Sequence, residues 1–158
     1  LNYSKLSERR MKRWDKTFKW SDSDKTFFNN YPKSITFLVV SEGWCGDAAH
    51  ALPILNKITE EAPKLDLKIV LRDDNDELIQ EFLTNGGKSI PKLIALDEDQ
   101  NVLFTWGSRS KEATKLVEAY KEKHGKLTPE FKEDLQKWYN KDKGQSTVKD
   151  IKENLQSL

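Results

Sequence analysis

The apolar run Ile35-Thr36-Phe37-Leu38-Val39-Val40 passes within a short loop into Ala48, Ala49, Ala51, Leu52, Leu55 and Ile58. A continuous apolar, β-branched run reads as a buried strand, and spacings of three and four read as one face of a helix. A buried strand that feeds directly into a helix needs further strands beside it and a helical layer over it. The rest of the chain supplies them. After Pro63, Leu65-Asp66-Leu67-Lys68-Ile69-Val70-Leu71 alternates as a strand does. Asp74 with Glu77 has the spacing of a capping box, and Leu78, Ile79, Phe82 and Leu83 predict a helix that Asn85-Gly86-Gly87 ends. Lys92 to Leu96 and Val102 to Trp106, joined by the polar turn from Asp97 to Asn101, predict an antiparallel hairpin. A helix from Ser110 to His124 follows, closed by Gly125. The predicted central order is β-α-β-α-β-β-α.

Helices flank this core. Residues 3–19 carry Met11, Trp14 and Phe18 at helical spacing, a narrow stripe that calls for cover by the domain rather than by a membrane. A second helix is expected from Asp22 or Asp24 to Asn30, ended by Tyr31-Pro32. Thr128-Pro129-Glu130 opens another, with Phe131, Leu135 and Trp138 along one stripe, and Thr147 with Asp150 is expected to open the last. No repeat or linker divides the chain. It reads as one domain over 1–158, with a core over 34–124 between an N-terminal extension, 1–33, and a C-terminal extension, 125–158.

Composition narrows the function classes. With 36% apolar and 34% charged residues among 158, the chain suits a globular domain, and a net charge of +1 argues against a nucleic-acid footprint. No stretch reads as a membrane span, and residues 1–31 lack the apolar core of a signal peptide. One cysteine rules out an internal disulfide, which fits a reducing compartment, so the expected location is the cytoplasm. The acidic groups at 73–77 and 97–99 lack the spacing of a calcium loop and read as a helix cap and a solvated turn.

That cysteine lies in Trp44-Cys45-Gly46-Asp47-Ala48, where the strand gives way to the helix. Unsatisfied backbone N–H groups and the positive end of the helix dipole favour a thiolate there, so Cys45 is the candidate nucleophile. Glu42 and Asp47 bring negative charge that opposes the thiolate, and Gly46 and His50 complete the set of candidate modulators. Asp47 reads equally well as a plain helix cap. Cys45, Asp47 and His50 are all zinc-ligand types, but the five-residue step from Cys45 to His50 aligns poorly on a helix and a fourth ligand is missing, so no metal is expected.

The motifs taken together resemble the thioredoxin-like family. Trp44-Cys45-Gly46 matches the first half of its Trp-Cys-Gly-Pro-Cys motif, and Pro53-Ile54-Leu55 falls where its active-site helix carries a proline. Ser89-Ile90-Pro91 stands where it has an Ile-Pro-Thr loop, and Gly107 matches the glycine before its last helix. The resemblance covers roughly residues 34–124 and implies a thioredoxin fold, a cis bond at Ile90-Pro91, and a substrate segment docked on Trp44, Ile90 and Pro91 beside Cys45.

Departures decide the mechanism. Ala48 replaces the second motif cysteine, Asp47 the intervening proline, and Val39 a buried aspartate that helps move the proton during resolution. Thiol–disulfide exchange passes through a mixed disulfide that the second thiol normally resolves. Here an outside thiol must do so, as in monothiol glutaredoxins. Two readings follow. One is a monothiol redox protein acting on protein or low-molecular-weight disulfides, with no cofactor beyond a low-molecular-weight thiol as co-substrate. The other is a thioredoxin-fold binding module without turnover.

Overall fold

The computed structural model describes residues 12–14, 16–42, 46–84 and 86–158, with the side chains of 46–48 excepted. Four strands form a mixed sheet in the order β2-β1-β3-β4. These are β1 (Ile35–Ser41), β2 (Leu65–Leu71), β3 (Lys92–Leu96) and β4 (Val102–Gly107). β1 pairs parallel with β2, Val39 opposite Ile69, and antiparallel with β3, Val39 opposite Leu93. The helices are α1 (Asp22–Asn29), α2 (Gly46–Glu61), α3 (Asp76–Gln80), α4 (Lys111–His124), α5 (Pro129–Asp142) and α6 (Gln145–Gln156). The order β1-α2-β2-α3-β3-β4-α4 is the thioredoxin arrangement that the sequence predicts.

Local signals explain several helix ends. The Ser21 side chain accepts from the Asp24 amide at the start of α1, Ser110 from Ala113 at α4, and Thr128 from Phe131 at α5, each satisfying an amide that the helix leaves without a partner. Gly125 ends α4 at φ 79°, a left-handed conformation that glycine adopts without steric cost.

Two helices depart from the sequence reading. α3 is only five residues long, and no side-chain capping bond opens it. Its N-cap is Asn75, whose side-chain Nδ2 instead donates to the Leu71 carbonyl at 2.8 Å and fastens the helix start to the end of β2. Phe82 and Leu83 therefore fall in the turn beyond the helix. α6 starts at Gln145, so Thr147 and Asp150 lie inside it and are buried. Lys143 and Gly144, both left-handed, turn α5 straight into α6. A Cβ on Gly144 would sit 2.8 Å from Cγ1 of Ile54, so this corner packs directly on α2.

Phe28, Phe37, Val39, Leu52, Ile58 and Leu93 are fully buried, and the same core takes in Trp14 and Phe18 from the N-terminal side and Tyr139, Val148 and Ile151 from the C-terminal side. Cutting one of the large fully buried side chains, such as Phe37, to alanine removes contact and leaves a cavity, a cost of about 3–5 kcal/mol. The Met11-Trp14-Phe18 stripe is thus covered by the domain at Trp14 and Phe18, while Met11 lies outside the described residues. Phe131 stacks on Tyr120 with ring centroids 4.1 Å apart, and Leu135 and Trp138 pack against the core.

Candidate active site

The parallel β1–β2 pair ends in two loops that one carboxylate joins. Glu42, directly after β1, is buried, and its Oε1 accepts from the Asp73 amide at 2.9 Å. The Arg72 amide donates to the Ser41 carbonyl, also at 2.9 Å. Glu42 therefore braces the two strand tips. Trp44 and Cys45 lie outside the described residues. Gly46 is the first residue of α2 and Asp47 lies in its first turn. Pro53 stands inside the helix and removes one backbone donor from its ladder.

The Ile90–Pro91 peptide bond is cis. Lys92 follows at once and pairs with Val40 of β1 and Gly107 of β4, which sets the Ile90-Pro91 loop at the β1 end that leads to α2. Both Ile90 and Pro91 are buried. Gly107, at φ 120°, comes so close that a Cβ there would overlap the Pro91 carbonyl oxygen and lie 3.4 Å from Lys92 Cα. Only glycine permits this approach. The Lys92 side chain is buried too, its ammonium donating to the Thr84 hydroxyl at 3.0 Å, and burial pushes its pKa down. Beyond α3, Lys88 bonds Asp76 and holds that carboxyl below its ordinary range, while Arg72 Nη1 donates to the Lys88 carbonyl at 3.3 Å.

His50 is almost wholly enclosed, one turn into α2. Its Nδ1 accepts from the Trp14 indole at 3.0 Å, and its Nε2 lies 2.9 Å from Oε1 of Gln136. The ring stacks on Tyr139 at 4.2 Å with an interplanar angle of 10°. Both nitrogens being engaged, His50 in this arrangement is not placed as a metal ligand, and among the described residues no three potential ligands cluster. The sequence singled out His50 but not its partners, which come from both flanking segments. Nor did it find Asp150, whose carboxylate accepts from the Trp106 indole at 3.0 Å and the Lys111 amide at 2.8 Å. Its place beside Thr147 had suggested only a cap.

A family model described as Thioredoxin matches residues 1–121. The chain belongs to the thioredoxin family. The match begins at residue 1 and so takes in the segment ahead of β1 as well. No curated protein matches the chain. A Pseudomonas aeruginosa protein of unknown function is 16% identical and superposes with a TM-score of 0.75 over 98% of this chain and 86% of its own. An HIV epitope scaffold is 15% identical with a TM-score of 0.74, over 98% of this chain and 87% of its own. At such identities these two show a shared fold, and their coverage extends it to the C-terminal helices. Among the described residues no helix of this thioredoxin-family chain is long and apolar enough to cross a membrane.

Proposed function

We propose that this thioredoxin-family chain is a monothiol redox protein working in a reducing compartment such as the cytoplasm. The Cys45 thiolate attacks one sulfur of a substrate disulfide. A mixed disulfide forms on Cys45, and the other substrate sulfur leaves as a thiolate that takes a proton from water. An external low-molecular-weight thiolate then attacks the substrate sulfur, restores Cys45 and carries the substrate away in a new disulfide. The net change is an exchange of one thiol for another: the outside thiol enters the disulfide, the other half of the substrate leaves as a free thiol, the number of disulfides is unchanged, and no other oxidant or reductant is required.

The observation that carries this reading is the Ile90-Pro91 loop, held by Lys92 pairing and by the close approach of Gly107 at the end of β1 that runs into the Cys45 segment. Disulfide capture needs a thiol and a loop to dock the substrate, and with Ala48 in place of the second motif cysteine an adduct has no internal resolving thiol. Ile90 and Pro91 dock the substrate segment in this reading together with Trp44, while Glu42 and Asp47 temper the thiolate.

The test is intact-protein mass spectrometry after exposure to an oxidised low-molecular-weight thiol, followed by the reduced thiol. One adduct per chain, absent in Cys45→Ser and removed by free thiol, is the expected result. A folded protein that takes no adduct overturns the proposal, and retention of a protein partner by Cys45→Ala would then favour the binding module.

A further inference from the structure

The indole nitrogen of Trp14 can only donate, so the lone pair that receives it at 3.0 Å belongs to an unprotonated Nδ1 of His50. The ring proton is then on Nε2, which donates to Oε1 of Gln136 at 2.9 Å. His50 is neutral in this arrangement, with its tautomer fixed by the Trp14 and Gln136 bonds. The ring is buried to 6% exposure, stacked on Tyr139 and met edge-on by Trp14 at 5.7 Å. It thereby ties together the helical residues 12–14 and 16–17, α2 and α5.

We propose that His50 is a proton-operated latch that holds the N-terminal helical segment against α2. A proton from solvent, bound at Nδ1, occupies the lone pair that Trp14 uses, so the indole loses its acceptor and the segment its polar tie to α2. The burial of the ring sets the direction. Trp14 from the N-terminal segment and Gln136 from α5 are neutral, Tyr139 from α5 presents a ring face, and Arg109 from the loop after β4 shares a small cavity with His50, Tyr139 and Thr147 of α6. On α2 itself the carboxyl of Asp47 lies outside the described side chains. Burial of the ring disfavours an imidazolium, so the latch stays shut at neutral pH and opens on acidification. This inference stands on the contacts of His50 and is independent of the chemistry proposed for Cys45.

The test is nuclear magnetic resonance on the full 15N-labelled chain, reading the imidazole tautomer and the indole N–H signals from about pH 7.5 down to about pH 4.5. His124→Gln and Trp14→Phe assign the signals. The expected result is an Nε2–H tautomer of His50 at the upper pH. On acidification His50 protonation and a shift of the Trp14 indole share one midpoint, below the ordinary histidine value of about 6.5, and exchange of the Trp14 indole proton rises about tenfold or more. The Trp106 indole, bonded to Asp150, stays unchanged through that step, and His50→Gln, which cannot take up a proton there, abolishes it. An Nδ1–H tautomer, a Trp14 signal that ignores the His50 titration, a step that persists in His50→Gln, or simultaneous loss of the Trp14 and Trp106 signals through unfolding would each overturn the proposal.

Discussion

The indole of Trp106, in the last strand, donates to Asp150 Oδ2 at 3.0 Å across 44 positions of sequence, inside a helix that the family match at residues 1–121 does not reach. The same oxygen accepts the Lys111 amide and so caps α4 from α6. The C-terminal helix is thus tied to the thioredoxin core through one buried carboxylate. Asp150→Ala leaves two donors without an acceptor and is expected to cost about 2–4 kcal/mol, whereas Asp150→Asn keeps an oxygen and costs about 1–2 kcal/mol. Urea unfolding of the two variants checks this, and equal, small losses would contradict it.

Gly107 and Gly125 both have positive φ, but only Gly107 is pressed against other backbone. Gly125→Ala is expected to cost about 1–2 kcal/mol for its left-handed conformation alone. Gly107→Ala must also displace the Pro91 carbonyl and is expected to exceed about 3 kcal/mol or to prevent folding. Thermal unfolding of both distinguishes them. Similar Tm losses would mean that the Pro91 loop yields freely.

Lys92 gives a pH signature. Burial lowers its folded pKa, so between that value and about 10.5 the unfolded chain binds more protons and stability rises with pH. Below that window the ammonium is charged in both states and its burial cost is fully felt. Lys92→Met is therefore expected to match or exceed wild-type stability near neutral pH, by up to about 1 kcal/mol. The advantage should shrink as pH rises through the window. A loss that is largest near neutral pH would contradict this account.

Asp97 opens the β3–β4 turn. Its carboxylate accepts from the Asn101 amide at 2.8 Å and the Asp99 amide at 2.9 Å, bonds that hold its pKa below the ordinary range. For a depressed carboxylate the contribution is present above the unfolded pKa and is lost as pH falls through the folded one. Asp97→Ala is expected to speed hydrogen exchange at Asn101 by about tenfold near neutral pH and to leave the exchange free energy there unchanged in strong acid. An unaltered Asn101 amide near neutral pH would show that the turn holds without Asp97.

How legible each feature was depended on how local its cause is. The run from Ile35 to Val40, the Thr128-Pro129 cap and the Gly125 stop act within a few residues, and they stand in the structure where the sequence puts them. Asp74 and Thr147 have equally good local patterns and fail. Asn75 is drawn to the end of β2, and the left-handed Lys143-Gly144 turn starts α6 early. His50 was legible as a residue of interest, but Trp14 and Gln136 reach it from 36 and 86 positions away. Such partners belong to the tertiary arrangement, and no spacing rule announces them.

Reactivity of the Cys45 thiol as a function of pH tests the central claim most directly. Alkylation of the folded protein is expected to rise to a plateau with an apparent pKa below the ordinary cysteine value of about 8.5, as a nucleophile at the start of α2 requires. A folded protein whose Cys45 resists alkylation, or titrates at or above about 8.5, would contradict a monothiol redox function.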